Sequence, residues 1–206
     1  RRASILMTSL TASELNGEAK LFYLVGPSGS GKDSIINGLR SQLQADSNLL
    51  IAHRYITRAV DDSGENHIAL SMPEFTHRKH SGLFAMDWQA NGCNYAVGNE
   101  VNTWLSMGFS VLFNGSRQQI PLAEELFGER LRIIALEVDP SILAERLRKR
   151  GRESEHDISA RLRRSEQYQA SLPEECWRLD NNRNLDSTVS KLLKYIETET
   201  TELYIQ

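Results

Sequence analysis

The 206 residues contain only two cysteines, Cys93 and Cys176, and neither lies in a Cys-x-x-Cys pair. That excludes a disulfide framework and the usual thiolate zinc sites, so both cysteines are expected to act as small buried apolar side chains. Long apolar runs are missing as well. The longest, Leu21–Val25 and Ile133–Leu136, fall far short of the ~20 residues that span a bilayer as a helix. Charge of one sign is scarce: 24 Lys plus Arg face 27 Asp plus Glu, leaving −3 at neutral pH. No global field therefore draws the chain to nucleic acid or to a membrane surface. The segment before Lys20 carries two arginines but no sustained apolar stretch, so it does not read as a secretory signal. Residues 1–19 are expected to be a polar extension ahead of a single domain over 20–206, in a reducing, cytoplasmic setting.

What is present is an ordinary globular composition, apolar enough to bury a core without metal or disulfide staples. One bias stands out. Arginine outnumbers lysine eighteen to six, and residues 146–164 gather eight basic side chains against three acidic ones.

The periodicity is that of an α/β chain. Leu21–Val25 is a short continuous apolar run, as in a parallel strand buried on both faces. After it Ile35, Ile36, Leu39 and Leu43 recur at helical spacing, and Leu49–Ala52 predicts a second strand. Between His53 and Val97 the pattern loosens around turn signals at Asp61–Gly64 and Asn91-Gly92. Short β-like pieces there, His67–Leu70 and Leu83–Trp88, predict a small inserted subdomain. Alternation then returns, with helices over 101–107, 120–127, 140–150 and 189–196. Strands are expected over 110–113, 131–138 and 176–179, and Asp157 is expected to cap a helix running to about Gln169. The reading is a parallel sheet covered by helices on both faces.

Gly26-Pro27-Ser28-Gly29-Ser30-Gly31-Lys32 follows the first apolar run and opens the first helix. It matches the phosphate-binding P-loop pattern, in which glycines let successive backbone N–H groups face one concavity at a helix N-terminus. The lysine then bridges nucleotide β- and γ-phosphates. One position departs from the pattern. The residue after the lysine is ordinarily Ser or Thr, a Mg²⁺ ligand; here Asp33 stands there, followed by Ser34, and either side chain can serve the metal.

From about residue 20 to 200 the arrangement resembles the guanylate kinase branch of the nucleoside monophosphate kinases. Ile56-Thr57-Arg58 followed by Gly64-Glu65 resembles the segment whose arginine grips the acceptor's phosphate. Asn91–Tyr95 resembles the segment whose tyrosine binds that same phosphate, and Arg146–Gly151 with Ile158–Leu162 resembles the lid. The resemblance implies a P-loop fold with an acceptor-binding insertion at about 53–97 and a lid at about 148–160. Its second acceptor arginine, however, falls on Asp61. Its base-reading positions fall on Arg54 and Met86, and its metal-site aspartate on Asn114.

The strings Gly31-Lys32-Asp33-Ser34, His53–Arg58, Glu65–Leu70 and Asn114-Gly115-Ser116-Arg117 resemble instead the ribose 1,5-bisphosphate phosphokinase family of bacterial phosphonate degradation. That resemblance implies Mg²⁺-dependent transfer from ATP to a sugar bisphosphate, both small molecules, with no nucleic-acid or membrane partner. A nucleoside monophosphate kinase and a non-catalytic interaction module of the same fold are the alternatives. By the same resemblance Lys32, Arg150 and Arg161 are the expected catalytic groups, and Gly26–Ser34 the ATP-binding loop. Arg54, Arg58, Glu65, His67, Tyr95, Asn114 and Arg117 are expected to hold the acceptor, and Asp33 and Ser34 the Mg²⁺.

Overall fold

The computed structural model describes residues 19–60, 65–151 and 154–201. Residues 1–18 of the expected extension, Asp61 and the middle of the expected lid therefore lie outside the described residues, while Ala19, expected in the extension, is buried in the core. The chain builds β1 (Leu21–Val25), α1 (Lys32–Gln42) and β2 (Leu49–Ile51), then leaves for β3 (Arg54–Ile56), β4 (Ile68–Ala69), α2 (Met72–His80), β5 (Phe84–Ala90) and β6 (Cys93–Gly98). It returns through α3 (Glu100–Ser106), β7 (Ser110–Asn114), α4 (Ile120–Phe127), β8 (Leu131–Glu137), α5 (Pro140–Arg150), α6 (Glu155–Ala170), β9 (Trp177–Asp180) and α7 (Leu185–Thr201).

The main sheet is wholly parallel, in the order β2-β7-β1-β8-β9. Side-chain alternation along β1 explains why an unbroken apolar run was needed there. Leu21, Tyr23 and Val25 enter one core with Val111, Phe113, Val101 and Ala123. Phe22 and Leu24 enter the opposite core with Ile35, Leu39, Val189 and Leu192 of α1 and α7. Each such side chain, fully buried, contributes about 1.5–3 kcal/mol. The P-loop leaves the carboxyl end of β1, and residues 115–117, Val138-Asp139 and Asn181 leave those of β7, β8 and β9. That edge is where ligands bind in such sheets.

The insertion carries a second, mixed sheet in the order β4-β3-β6-β5. Asn91 and Gly92, both at positive φ, make the two-residue turn between β5 and β6. Two expectations are corrected here. Residues 72–80 form α2, where only irregular chain was expected; Ser71 caps it by accepting from Glu74 N–H, and Pro73 fixes its first turn. Its Phe75 packs with Leu70 and Ala96, giving the small sheet a core of its own. The cap of α6 is Ser154, not Asp157. Ser154 Oγ accepts from Asp157 N–H, and the Asp157 carboxylate accepts from Ser154 N–H in return. Cys176 is buried as expected, whereas Cys93, beside the hairpin turn, is only half-buried.

Candidate functional site

The P-loop is built from backbone. Gly29 and Gly31 take φ of 87° and 95°, a region other residues rarely adopt. A side chain at Gly29 would also meet Leu147 of α5 at 2.9 Å, and one at Gly31 would meet Asn181 Nδ2 at 2.9 Å. No side chain caps α1, so its first N–H groups are left for a ligand. Lys32 Nζ donates to the carbonyls of Gly26 (2.6 Å) and Pro27 (3.1 Å), which folds the ammonium back over the loop. Burial lowers the Lys32 pKa to about 8, partly offset by the Asp33 carboxylate.

Two residues behind the loop escaped the sequence reading. Buried Asn181 donates from Nδ2 to Ser30 O at 2.7 Å, and its Oδ1 accepts from Thr188 Oγ1 at 3.0 Å. They belong to no local motif. The signal that finds them is position, since Asn181 directly follows β9 at the ligand-binding edge.

The loop opens into a cavity of about 510 Å³ lined by P-loop residues and by the expected acceptor groups other than His67. Lys32, Arg54, Arg58 and Arg117 line it against Asp33 and Glu65, giving it a cationic balance. Glu65 is the hub of the arginines at the end away from the P-loop. Its Oε1 accepts from Arg54 Nε at 2.6 Å and its Oε2 from Arg58 Nη2 at 3.2 Å. Arg54 lies over the Tyr95 ring at 5.1 Å, and that ring stacks on Trp88 at 5.6 Å and 9°. Met86 is 3% exposed and sits in the core, so neither position expected to read a base presents a base-reading group.

His67 is placed differently from the acceptor contact expected of it. It is buried, with Nδ1 and Nε2 each 3.2 Å from a backbone carbonyl, those of Glu65 and Arg58. It therefore braces the two segments that carry the ion pairs. Asn114 lines the same cavity, and its Nδ2 donates to Asp33 Oδ1 at 3.2 Å.

Residues 115–117 pass so close to β1 that a side chain at Gly115 would meet the Tyr23 ring at 2.4 Å. Tyr23 Oη donates to Ser116 O and accepts from Ser116 N–H, both at 2.9 Å. Burial pushes its pKa up to about 12, so the phenol stays protonated and keeps both bonds. Arg117 is held from the other side. It donates to Ser171 Oγ at 2.6 Å and Gln167 O at 3.3 Å, and lies 4.5 Å above the Tyr168 ring.

From α6, Arg161 donates to Ser28 Oγ at 2.5 Å, which brings that helix onto the P-loop. The backbone of Arg150 ends α5, but its side chain lies outside the described residues, as do residues 152 and 153. Arg148, by contrast, pairs with Glu155 on the exposed surface between α5 and α6. A second cavity of about 340 Å³ opens beyond Gly29 and Gly31, lined by Arg146, Lys149, Asn181, Arg183 and Leu185.

The residues suit a hard divalent cation. Asp33 and Ser34 bring oxygen donors to the cavity, and beside Asp33 the buried Asn114 Oδ1 has no hydrogen-bond partner. Among the described residues no cluster of three or more His, Cys, Asp or Glu side chains forms a metal site. No helix among them is long and apolar enough to cross a membrane.

Comparison with known proteins finds relatives over most of the chain. The ribose 1,5-bisphosphate phosphokinase PhnN of Yersinia pestis is 46% identical over 182 residues, covering 88% of this chain and 93% of its own length. The enzyme of the same name from Pectobacterium atrosepticum is 49% identical over 171 residues, covering 83% and 90%. Among solved structures, guanylate kinase from Anaplasma phagocytophilum superposes with a TM-score of 0.71 over 91% of this chain and 89% of its own. At 16% identity that likeness concerns the fold. No family model matches the chain.

Proposed function

The chain belongs to the ribose 1,5-bisphosphate phosphokinase family, and on that footing we propose that it transfers the terminal phosphoryl group of ATP to the 1-phosphate of ribose 1,5-bisphosphate. The products are 5-phosphoribosyl 1-diphosphate and ADP, and the setting is phosphonate catabolism. The carrying observation is one cavity lined by the P-loop at one end and by arginines at the other, in which Arg54, at one of the two positions expected to read a base, is paired with Glu65.

The reaction asks little of acid–base chemistry. The attacking oxygen belongs to a phosphate already ionised at neutral pH, so alignment and charge neutralisation carry the rate. The P-loop N–H groups and Lys32 hold the donor phosphates, and Lys32 follows the transferring group. Arg161, already at the loop through Ser28, and Arg150 close on it from the lid. Arg58, Tyr95 and Arg117 hold the acceptor, whose second phosphate meets Arg54. Glu65 and His67 keep those arginines in register. The 340 Å³ cavity beyond the P-loop receives the donor's base and ribose. Asp33 and Ser34 would hold Mg²⁺, which would supply neutralisation of the donor's phosphate charge.

The test is a coupled ADP-release assay with Mg-ATP, run in parallel on ribose 1,5-bisphosphate and on GMP. Turnover on the sugar bisphosphate alone is expected. Turnover on GMP alone overturns the acceptor assignment.

A further inference from the structure

In the common form of this loop the residue after the lysine is a neutral hydroxyl, and the carboxylate that completes the metal site comes from elsewhere in the fold. This chain inverts the charges. Asp33 occupies the hydroxyl position, and the end of β7, where the resemblance expected an aspartate, is Asn114. The two are not merely near in sequence logic. β7 lies beside β1 with Asn114 opposite Leu24, and Asn114 Nδ2 donates to Asp33 Oδ1 at 3.2 Å. Asn114 is 6% exposed, and its Oδ1 is buried without a partner.

We propose that the carboxylate of the cation site has changed sides: Asp33 on α1 is the protein's carboxylate ligand to the nucleotide-bound divalent cation, and Asn114 on β7 is its neutral positioning partner. This rests on the reading of the chain as a nucleotide-dependent kinase, but not on the identity of its acceptor.

Three physical points carry it. First, one carboxylate remains in the pair whichever residue bears it, so the charge presented to the cation is conserved. Second, a carboxylate at position 114 would set oxygen against oxygen at 3.2 Å from Asp33, whereas an amide of the same shape donates across that gap. Third, an acceptor buried without a donor is costly to maintain. A water on the cation supplies the donor that Asn114 Oδ1 lacks, the same outer contact by which carboxylates commonly orient metal ligands. Because Asn114 ends a buried strand rather than a loop, it fixes Asp33 against a rigid support.

The experiment measures Mn²⁺ binding by electron paramagnetic resonance in the presence of the β,γ-imido analogue of ATP, with thermal melting of every variant. Asp33→Thr, the isosteric Asp33→Asn, and Asn114→Ala are each expected to weaken Mn²⁺ about 10–100-fold, and the exchanged pair Asp33→Thr/Asn114→Asp to recover affinity to within about threefold of the parent. Unchanged Mn²⁺ affinity in folded Asp33→Asn overturns the proposal, as does an exchanged pair that binds no better than Asp33→Thr. The readout needs no acceptor, so failure to turn over ribose 1,5-bisphosphate leaves it standing. Absence of any Mn²⁺–nucleotide complex in the parent protein overturns both this proposal and the kinase reading.

Discussion

The two ends of the 510 Å³ cavity are made of different material. At the proposed donor end the lining is backbone: glycines at positive φ, the N-terminus of α1 with no side-chain cap, and one lysine folded against carbonyls. At the proposed acceptor end the lining is side chain: Arg54, Arg58, Tyr95 and Arg117, brought from β3, the segment after it, β6 and the segment after β7. Backbone donors cannot be exchanged one at a time by substitution, so the donor end suits a phosphate chain that every such kinase shares. Side chains can be exchanged singly. The acceptor end is therefore where a nucleotide site can become a sugar-phosphate site without disturbing the fold.

Substitutions at the two ends should separate cleanly. Lys32→Met is expected to have the largest effect, a fall in kcat of about 10²–10³-fold, typical of losing one preorganised donor to a developing charge. The melting temperature should hold, since the P-loop is closed by backbone and by Asn181; steady-state kinetics with a calorimetric scan checks both. The same lysine sets a pH limit. With its pKa lowered by burial to about 8, it carries charge below that pH and loses it above. Hence kcat/KM for ATP should fall about tenfold per unit above pH 8, while the kcat limb lies higher because bound phosphates favour the ammonium.

Arg58→Ala should act at the other end. Removing a charge-assisted hydrogen bond worth about 1.5–3 kcal/mol should raise acceptor KM about 10–100-fold and leave ATP KM near its starting value; equal changes in the two would contradict the division. Glu65→Gln comes next. It deprives two arginines of their counter-charge, and stability should drop by on the order of 2 kcal/mol in urea titration. That is less than the about 3–5 kcal/mol of a fully buried pair, because the Arg58 side chain is 33% exposed. The smallest effect is expected from Tyr23→Phe, about 1 kcal/mol from chemical denaturation, since only its bonds to Ser116 are lost.

The same contrast decides what could be read without coordinates. The P-loop, β1 and α1 were legible because glycine freedom, apolar periodicity and a helix start coincide within twenty residues. The parallel sheet followed from strand–helix alternation. In the insertion that agreement breaks down. β4 has only two residues, too few to show a period. α2 is nine residues long with Phe75 its one buried side chain, so helical periodicity never develops. Its start is nonetheless written in Ser71, Pro73 and Glu74, a cap that periodicity alone overlooks. Arg54 and Arg58 could be named as phosphate ligands from resemblance, but their sharing of Glu65 depends on how β3 and the segment before β4 meet. Nor does the sequence say that both nitrogens of His67 face carbonyls. Such facts belong to tertiary packing, which no local window contains.

The close approach of residues 115–117 to β1 bears on when order is acquired. Gly115 lies against the Tyr23 ring, Ser116 has its N–H and carbonyl both engaged by the Tyr23 hydroxyl, and Arg117 rests on Tyr168 with Ser171 at its tip. A long, many-rotamer side chain is thus settled before any ligand arrives. The conformational entropy of holding Arg117 is lost in folding, where the core of the main sheet offsets it, and not at the moment of binding. A small, highly charged ligand offers little apolar surface with which to compensate an ordering step of its own. A guanidinium already in position lets more of its electrostatic attraction appear as affinity.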